Sequence, residues 1–398
     1  MELESSFAPS QALIEIPRVA MRPTRAEIDL DAIAGNLAAI RRVVPEQQVL
    51  AIVKADAYGH GLVPVAHRLQ AEGVGGFGVA LAEEGLDLRA SGIESEILVL
   101  NGVYGAAHRE ILEARLTPVL YNIEEALAFL RANRGRPFAV HLKVDTGMGR
   151  LGVRWEVLDD FLAKLAAYPQ VRIEGLMTQL SSAASDPEWT ATQLARFATS
   201  LERVRRAGYR PQRVHVAKSA ALFLYPESRY ETVRPGLALY GYAPDPRFEG
   251  FRPAMSVRTQ VIDLRHLPVG EPIGYDQTFR TTRPSRIATL PMGYADGLKR
   301  SSVPGGTMLC RGQACPIVGN VSMDLTTVDV TDLPGVDIGD EVVWLGEQGG
   351  RVQDAHQLAA AAGTTAYEVL TSVSKRVPRV YKGDVFARGT RRAERTRP

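Results

Sequence analysis

The stretch AIVKADAYGHG, Ala51–Gly61, decides how this chain reads. Val49, Leu50, Ile52 and Val53 form an apolar run suited to a strand buried on both faces. A strand that merely ended would turn at Asn, Asp or Gly. This one runs instead into Lys54, small residues, Tyr58 and a glycine-flanked His60. A lysine at such a position is either a solvated tip or a nucleophile. The rest of the chain decides between them.

Working outward, eight such runs stand between Leu50 and about Tyr240: VLAIVKA, GFGVALA, ILVLNG, TPVLYN, PFAVHLKVD, IEGLMTQL, RVHVAKS and VRPGLALYG. Amphipathic stretches such as EEALAFLRAN, EVLDDFLAKLAAY and ATQLARFATSLERVRRAG lie between most of them. Continuous apolar runs alternating with helical patterns indicate a parallel sheet, and eight units indicate an α/β fold of the (β/α)8 barrel type over residues 25–254. After Met255 the texture changes. MSVRTQVIDLRHLPVGEPIGY, SRIATLPMGYADG, ACPIVGNVSMDLTTVDV and DIGDEVVWLG alternate and are punctuated by Gly, Pro and Asp, which reads as a mainly antiparallel β domain over 255–388. RAEIDLDAIAGN reads as a strand followed by a helix cap. The strand, placed at 25–33, is expected to pair with the later domain. Residues 1–24 and the basic 389–398 are expected to be tails, the latter disordered.

Bulk properties exclude several classes. The 398 residues are 45% hydrophobic and 23% charged, and 47 basic against 45 acidic residues leave +2. That balance gives no general electrostatic case for nucleic acid or an anionic membrane. No apolar run approaches the roughly 18 residues of a membrane span. The first twenty residues lack the apolar core of a signal peptide, so a cytoplasmic location is expected. Cys310 and Cys315 lack the spacing of a zinc site and are expected to be partly buried thiols; no metal is expected.

In a barrel, chemistry gathers where strands end. Those ends carry Lys54 and Tyr58; Lys143, Asp145 and Arg150; Gln179; His215, Lys218 and Ser219; and Arg234 before Pro-Gly. GYDQTF (Tyr275) and GYADG (Tyr294) follow in the β domain. Each alone has a structural explanation. Together they put a lysine, cations, glycine amides and hydroxyls on one expected face. Cationic, Gly-rich termini suit a phosphate, and a lysine beside them suits covalent chemistry with pyridoxal 5′-phosphate, PLP.

With AIVKADAYGHG, KVDTGMGRLG, VRPGLALYG, GYDQTF, PMGYADG, VSMDL and AYEVLTSVSKRVPR in this order, the chain resembles the alanine racemases from about Arg25 to Tyr381. The resemblance implies a PLP-dependent homodimer, with sites at the subunit interface, that interconverts L- and D-alanine and supplies D-alanine for peptidoglycan. It implies that Lys54 carries PLP and is one base, and that Tyr275 of the other subunit is the second. Racemisation needs proton transfer on both faces of Cα, and two opposed bases achieve this without turning the substrate over. By the same resemblance, Arg234 donates to the pyridine nitrogen and His215 supports it. Tyr58, Ser219, Gly236, Leu237 and Tyr367 hold the phosphate. Arg150 binds the cofactor near its O3′ as well as the substrate, and Met323, Tyr275 and Tyr294 bind the substrate. Arg300 and Arg234 are candidates to favour the tyrosine phenolate, and Lys143 matches a lysine that carries a carbamate in many relatives.

Two departures stand out. Gln179 replaces the family's histidine after Thr178, and Lys218 replaces its asparagine before Ser219. They bear on rate and substrate range. The alternatives are a racemase of the same fold acting on lysine, arginine or serine, and a PLP-binding protein without turnover, which would have no use for Tyr275. A decarboxylase or D-amino-acid aldolase relative is disfavoured by the paired tyrosine motifs.

Overall fold

The computed structural model describes residues 21–245 and 247–385, so the 389–398 tail and most of the 1–24 tail lie outside the described residues. Strand β1 is Arg25–Asp29. The barrel follows as β2 (Gln48–Ile52), β3 (Gly76–Val79), β4 (Glu96–Val99), β5 (Thr117–Leu120), β6 (Phe138–Asp145), the short β7 (Val153–Arg154), β8 (Val171–Met177), β9 (Arg213–His215) and β10 (Thr232–Val233). Neighbours run β10-β2-β3-β4-β5-β6-β8-β9, all in parallel, with β7 beside β6. A parallel bridge between Lys218 and Arg234 brings the ends of this sheet together. There the Arg234 N–H donates to Ala217 O at 2.8 Å, and the Ile52 N–H donates to Pro235 O at 3.0 Å. The apolar runs are buried because helices cover the outside and side chains fill the inside.

The eighth run departs from expectation. Only Thr232 and Val233 are strand, and GLALYG makes a tight helical turn over Leu237–Tyr240. Pro235 has no N–H to continue the ladder. Among the described residues, no long helix directly follows this strand. Helix Leu30–Val43 lies against the turn instead, and the Asn36 amide binds it by donating to Leu239 O at 3.0 Å.

Strand β1 ends earlier than the 25–33 reading. The Asp29 carboxylate accepts from Ala32 N at 2.8 Å and starts the helix at Leu30. It does join the later sheet. The remaining strands are β11 (Met255–Gln260), β12 (Asp263–Leu267), β13 (Pro272–Ile273), β14 (Phe279–Arg280), β15 (Ser285–Leu290), β16 (Thr307–Cys310), β17 (Gln313–Pro316), β18 (Thr326–Asp329), β19 (Glu341–Gln348), β20 (Arg351–Gln353) and β21 (Arg379–Lys382). One sheet runs β17-β16-β19-β11-β1-β21, and a second runs β12-β15-β18. β1 is antiparallel to β11 and parallel to β21. Cys310 and Cys315 are free and fully buried rather than partly so, because both face the core from the β16–β17 hairpin. Among the described residues, no helix is long and apolar enough to cross a membrane.

Asn36 joins three segments. Its amide also donates to Arg252 O at 2.9 Å, and its oxygen accepts from Arg252 N at 2.8 Å, in a nearly water-free setting. Asn36→Ala leaves these groups without partners. It is expected to lower stability by about 2–4 kcal/mol, read as a lower urea midpoint at unchanged m; an unchanged midpoint would contradict this account.

Candidate active site

The site is built on an unusual backbone. After β2 the chain does not coil right-handedly. Ala55, Asp56, Ala57 and Tyr58 all have φ between 53 and 55°, a left-handed turn of four non-glycine residues, and Gly59 continues it at 81°. Each such residue costs energy because Cβ crowds the next carbonyl. Local bonds hold the turn. The Glu84 carboxylate accepts from Ala55 N at 2.5 Å and from Ala80 N at 2.8 Å. Asp56 accepts from Leu62 N at 2.7 Å. His60 Nδ1 contacts Ala57 O at 3.1 Å and Tyr58 O at 3.0 Å. Both partners are acceptors, so Nδ1 carries the proton. The turn leaves Lys54 at the barrel mouth and sends Tyr58 inward, between the rings of Tyr240 (4.8 Å) and Tyr367 (5.9 Å). Glu84, His60 and Tyr240 were not among the expected site residues. His60 and Tyr240 stand inside quoted motifs, but nothing in the pattern points to their packing role, and Glu84 lies outside every quoted run.

Around Lys54 the mouth is cationic. Burial and then the Arg150 guanidinium lower the Lys54 pKa, against a smaller opposing effect of Glu84. Lys143 is buried on β6. Burial, Arg234 and Arg150 pull its ammonium down to about 8, and Asp145 opposes them. Lys218 is lowered by burial, Arg234 and Arg150. Asp145 is largely committed elsewhere. Its oxygens accept from Gly147, Met148 and Gly149 N–H groups at 2.8–3.1 Å, which shapes the loop that presents Arg150.

Arg234 is 3% exposed and has no carboxylate partner among the described residues. Nη1 donates to His215 Nδ1 at 2.9 Å and to His215 O at 2.5 Å. Nη2 donates to Thr178 O at 2.7 Å, Val216 O at 3.2 Å and Gln179 Oε1 at 3.4 Å. Gln179 thus keeps a hydrogen bond to the arginine although it replaces a ring. Burial brings the Arg234 guanidinium down to about 10, still charged at neutral pH, and holds His215 well below 6.5. The Arg234 Nε–H has no acceptor among the described residues.

Beside it, Ser219 Oγ accepts from Gly236 N at 3.0 Å and Ala238 N at 3.3 Å. A Cβ at Gly236 would sit 2.5 Å from the Tyr58 hydroxyl oxygen, so only glycine lets this backbone approach the phenol. Lys54, Tyr58, Lys143, Arg150, His215, Ser219, Arg234, Gly236 and Leu237 therefore gather in the barrel mouth. Tyr367 joins them from helix Ala366–Ser372. A lysine with a lowered pKa, amides and hydroxyls around Gly236, and an unspent Nε–H fit PLP's aldehyde, phosphate and ring nitrogen respectively.

Tyr275, Tyr294 and Met323 form a second group on the β domain. Asn320 Nδ2 donates to Tyr275 O at 3.1 Å. Tyr294 N and Ala295 N donate to Ser322 O and Met323 O, each at 3.0 Å. One loop, residues 319–323, therefore fixes all three. Tyr275 is 72% exposed, Met323 52% and Tyr294 41%, which is unusual for large apolar groups on so fixed a frame. Arg300 lies exposed in the turn Arg300–Ser302, with no side-chain hydrogen bond or ion pair among the described residues.

The chain is similar to known proteins over most of its length. The family model "Alanine racemase, N-terminal domain" matches residues 28–244, and "Alanine racemase, C-terminal domain" matches 254–381. The alanine racemase of Sorangium cellulosum is 43% identical over 377 residues, covering 91% of this chain and 100% of that protein. The solved structure of alanine racemase from Streptomyces coelicolor superposes with a TM-score of 0.86 at 34% identity, covering 92% of this chain and 99% of that one. The Bartonella henselae alanine racemase, described with covalently bound pyridoxal phosphate, gives 0.83 at 32% identity, covering 90% and 99%.

The left-handed turn has a pH signature. Burial drives the His60 pKa from 6.5 to about 4, despite its two carbonyl partners. Between these values the unfolded chain takes up a proton that the folded chain refuses. Neutral His60 therefore stabilises fully above pH 6.5, and this contribution is lost as pH falls toward 4. His60→Asn, which offers a similarly placed N–H without titrating, is expected to reduce the slope of unfolding free energy over that window by about 1.4 kcal/mol per pH unit. Denaturant titrations at stepped pH read the slope; an identical slope in the variant would refute the assignment.

Proposed function

From the premise that the chain belongs to the alanine racemase family and acts as an alanine racemase, we propose that its two proton-transferring groups are Lys54 and, from a second copy of the chain, Tyr275. The observation that carries the reading is Lys54 itself, lowered in pKa by burial and Arg150 at the end of a barrel strand. A lysine so placed is more readily the free amine, the form that can accept a proton, than a solvated one.

The family depends on PLP, which when bound supplies an electron sink for the charge left on the substrate's Cα. In this chain Lys54 would hold it covalently. Tyr58, Ser219, Tyr367 and the amides of Gly236 and Leu237 would hold its phosphate. Arg234 Nε–H would face its ring nitrogen. A guanidinium keeps its proton there, which restrains the sink and favours simple return of a proton to Cα. Arg150 and the Met323 N–H would take the substrate carboxylate. Lys54 Nζ would remove or deliver the Cα proton on one face, and the Tyr275 phenol oxygen on the other.

Tyr275 serves this role only across an interface. Its exposure, shared with Tyr294, Met323 and Leu325 at 42%, supports a two-fold dimer in which each site borrows this loop. The cations lining the mouth argue against lysine or arginine as substrates, because a further positive side chain would meet Lys143, Arg150 and Lys218. D-Alanine destined for the cell-wall peptide is the proposed product in the cell.

Lys143 is proposed to carry a carbamate. With a pKa near 8 it is partly a neutral amine at neutral pH. Such an amine adds to CO2 with loss of one proton, which replaces a crowded ammonium by an anion that suits Arg150 and Arg234. A 13C carbamate signal is expected with labelled bicarbonate, and it should vanish in Lys143→Ala. Absence in the parent, or persistence in the variant, counts against it.

The composite site is tested by mixing. Lys54→Ala and Tyr275→Phe are each expected to abolish racemisation of alanine, scored by chiral separation with PLP added. Unfolded and refolded together, random pairing makes about half of the dimers mixed, each with one intact site. About a quarter of parental activity should return. A mixture that stays inactive, with mixed dimers confirmed by tag pull-down, rules out the cross-subunit arrangement.

A further inference from the structure

A file of polar groups runs through the barrel interior, where apolar layers are the rule. Arg234, at the mouth, donates from Nη1 to His215 Nδ1 at 2.9 Å. His215 Nε2 lies 2.7 Å from His141 Nδ1. His141 Nε2 lies 3.4 Å from Glu96 Oε1, and the other Glu96 oxygen pairs with Arg213. Glu96 and Arg213 are the first residues of β4 and β9, so the file ends at the face opposite the site. His141 and His215 are 2% and 0% exposed.

The two ends fix every proton between them. Arginine only donates, so His215 Nδ1 is an acceptor and its proton sits on Nε2. His141 Nδ1 must then accept, which puts its proton on Nε2, facing a carboxylate that only accepts. The barrel is shaped around this file. A Cβ on Gly175, on the adjoining strand β8, would lie 2.4 Å from the His141 ring, and no positive φ explains that glycine. Burial and the Arg234 charge disfavour a protonated His215.

We propose that Glu96, at the far face of the barrel, is a positioning residue for Arg234: through His141 and His215 it sets the direction of the file and holds the guanidinium with Nε toward the site. The proposal rests on the role given to Arg234 above. Glu96 is also the carboxylate connected to this buried cation. The other charged groups facing Arg234 are Lys143 from β6 and Lys218 after β9, both positive and both also near Arg150; Gln179 after β8 is neutral. Glu96 itself faces His141, Arg213 and Arg89.

The test uses holoenzyme labelled with 15N-histidine, its signals assigned by single His→Gln replacements. His141 and His215 are expected to show the Nε2–H tautomer pattern. Glu96→Gln is expected to shift the His141 pattern and to lower kcat for alanine about tenfold with KM within about twofold. Glu96→Asp, which keeps the charge, should retain the parental imidazole pattern and most of kcat. An Nδ1–H pattern in either parental imidazole overturns the proposal, as does a Glu96→Gln enzyme with unchanged kcat. Should Glu96→Gln fail to fold, the parental spectra and the kcat of Glu96→Asp decide. A parental enzyme that does not turn over alanine defeats the reading of the site, while the imidazole spectra still decide the file.

Discussion

Four successive residues in the left-handed region, Ala55–Tyr58, are the constraint on which the site depends. At about 1–2 kcal/mol each, such a turn does not form by itself. Glu84 from the next strand–helix unit, Asp56, His60 and the buried Tyr240 ring make it the lowest state available. Tyr240 is fixed in turn by its hydroxyl on Ile52 O at 3.0 Å. The strain is therefore supported by the barrel as a whole and not by the loop alone. This lets Lys54 stay at the barrel mouth while Tyr58, only four residues on, turns inward between Tyr240 and Tyr367.

The second organising fact is a surplus of buried positive charge. Lys54, Lys143, Lys218 and Arg234 share a mouth where acids are few and already committed. Such donors, fixed before any ligand arrives, favour groups that are anionic or become so during reaction. The cost is desolvation, which shows as lowered lysine pKa values, and one consequence is a Lys54 more readily present as the free, reactive amine.

Much of this was legible in the sequence. The eight apolar runs gave the barrel because burial on both faces removes the polar alternation of an ordinary strand. Residues next to strand ends gave Lys54, Lys143, Arg150, His215 and Arg234. Other features were not legible, for physical reasons. KADAY is made of residues compatible with a right-handed helix, and the distant Glu84 and Tyr240 act with Asp56 and His60 to force it the other way. The eighth strand shrank to two residues because Pro235 interrupts its ladder. His141 stood in a quoted run, but its partners His215 and Glu96 are 74 and 45 positions away, and periodicity does not report such contacts. Tyr275 was recognised by its motif, whereas its exposure and its tie to Asn320 required the folded chain.

Strand β1 sits between β11 and β21, pairing with Met255–Arg258 on one edge and Arg379–Lys382 on the other. These partners are made by the ribosome long after β1, the second of them near the end of the described chain. For most of synthesis, Arg25–Asp29 is thus a strand with two open edges, leading directly into the helix that packs on the barrel. Loop closure over such separations is slow, and unpaired edges invite pairing between chains. A barrel assembled early would therefore wait, with one border unfinished, for the last strand to arrive. The step that joins the first strand to the last is where yield in the cell would be decided.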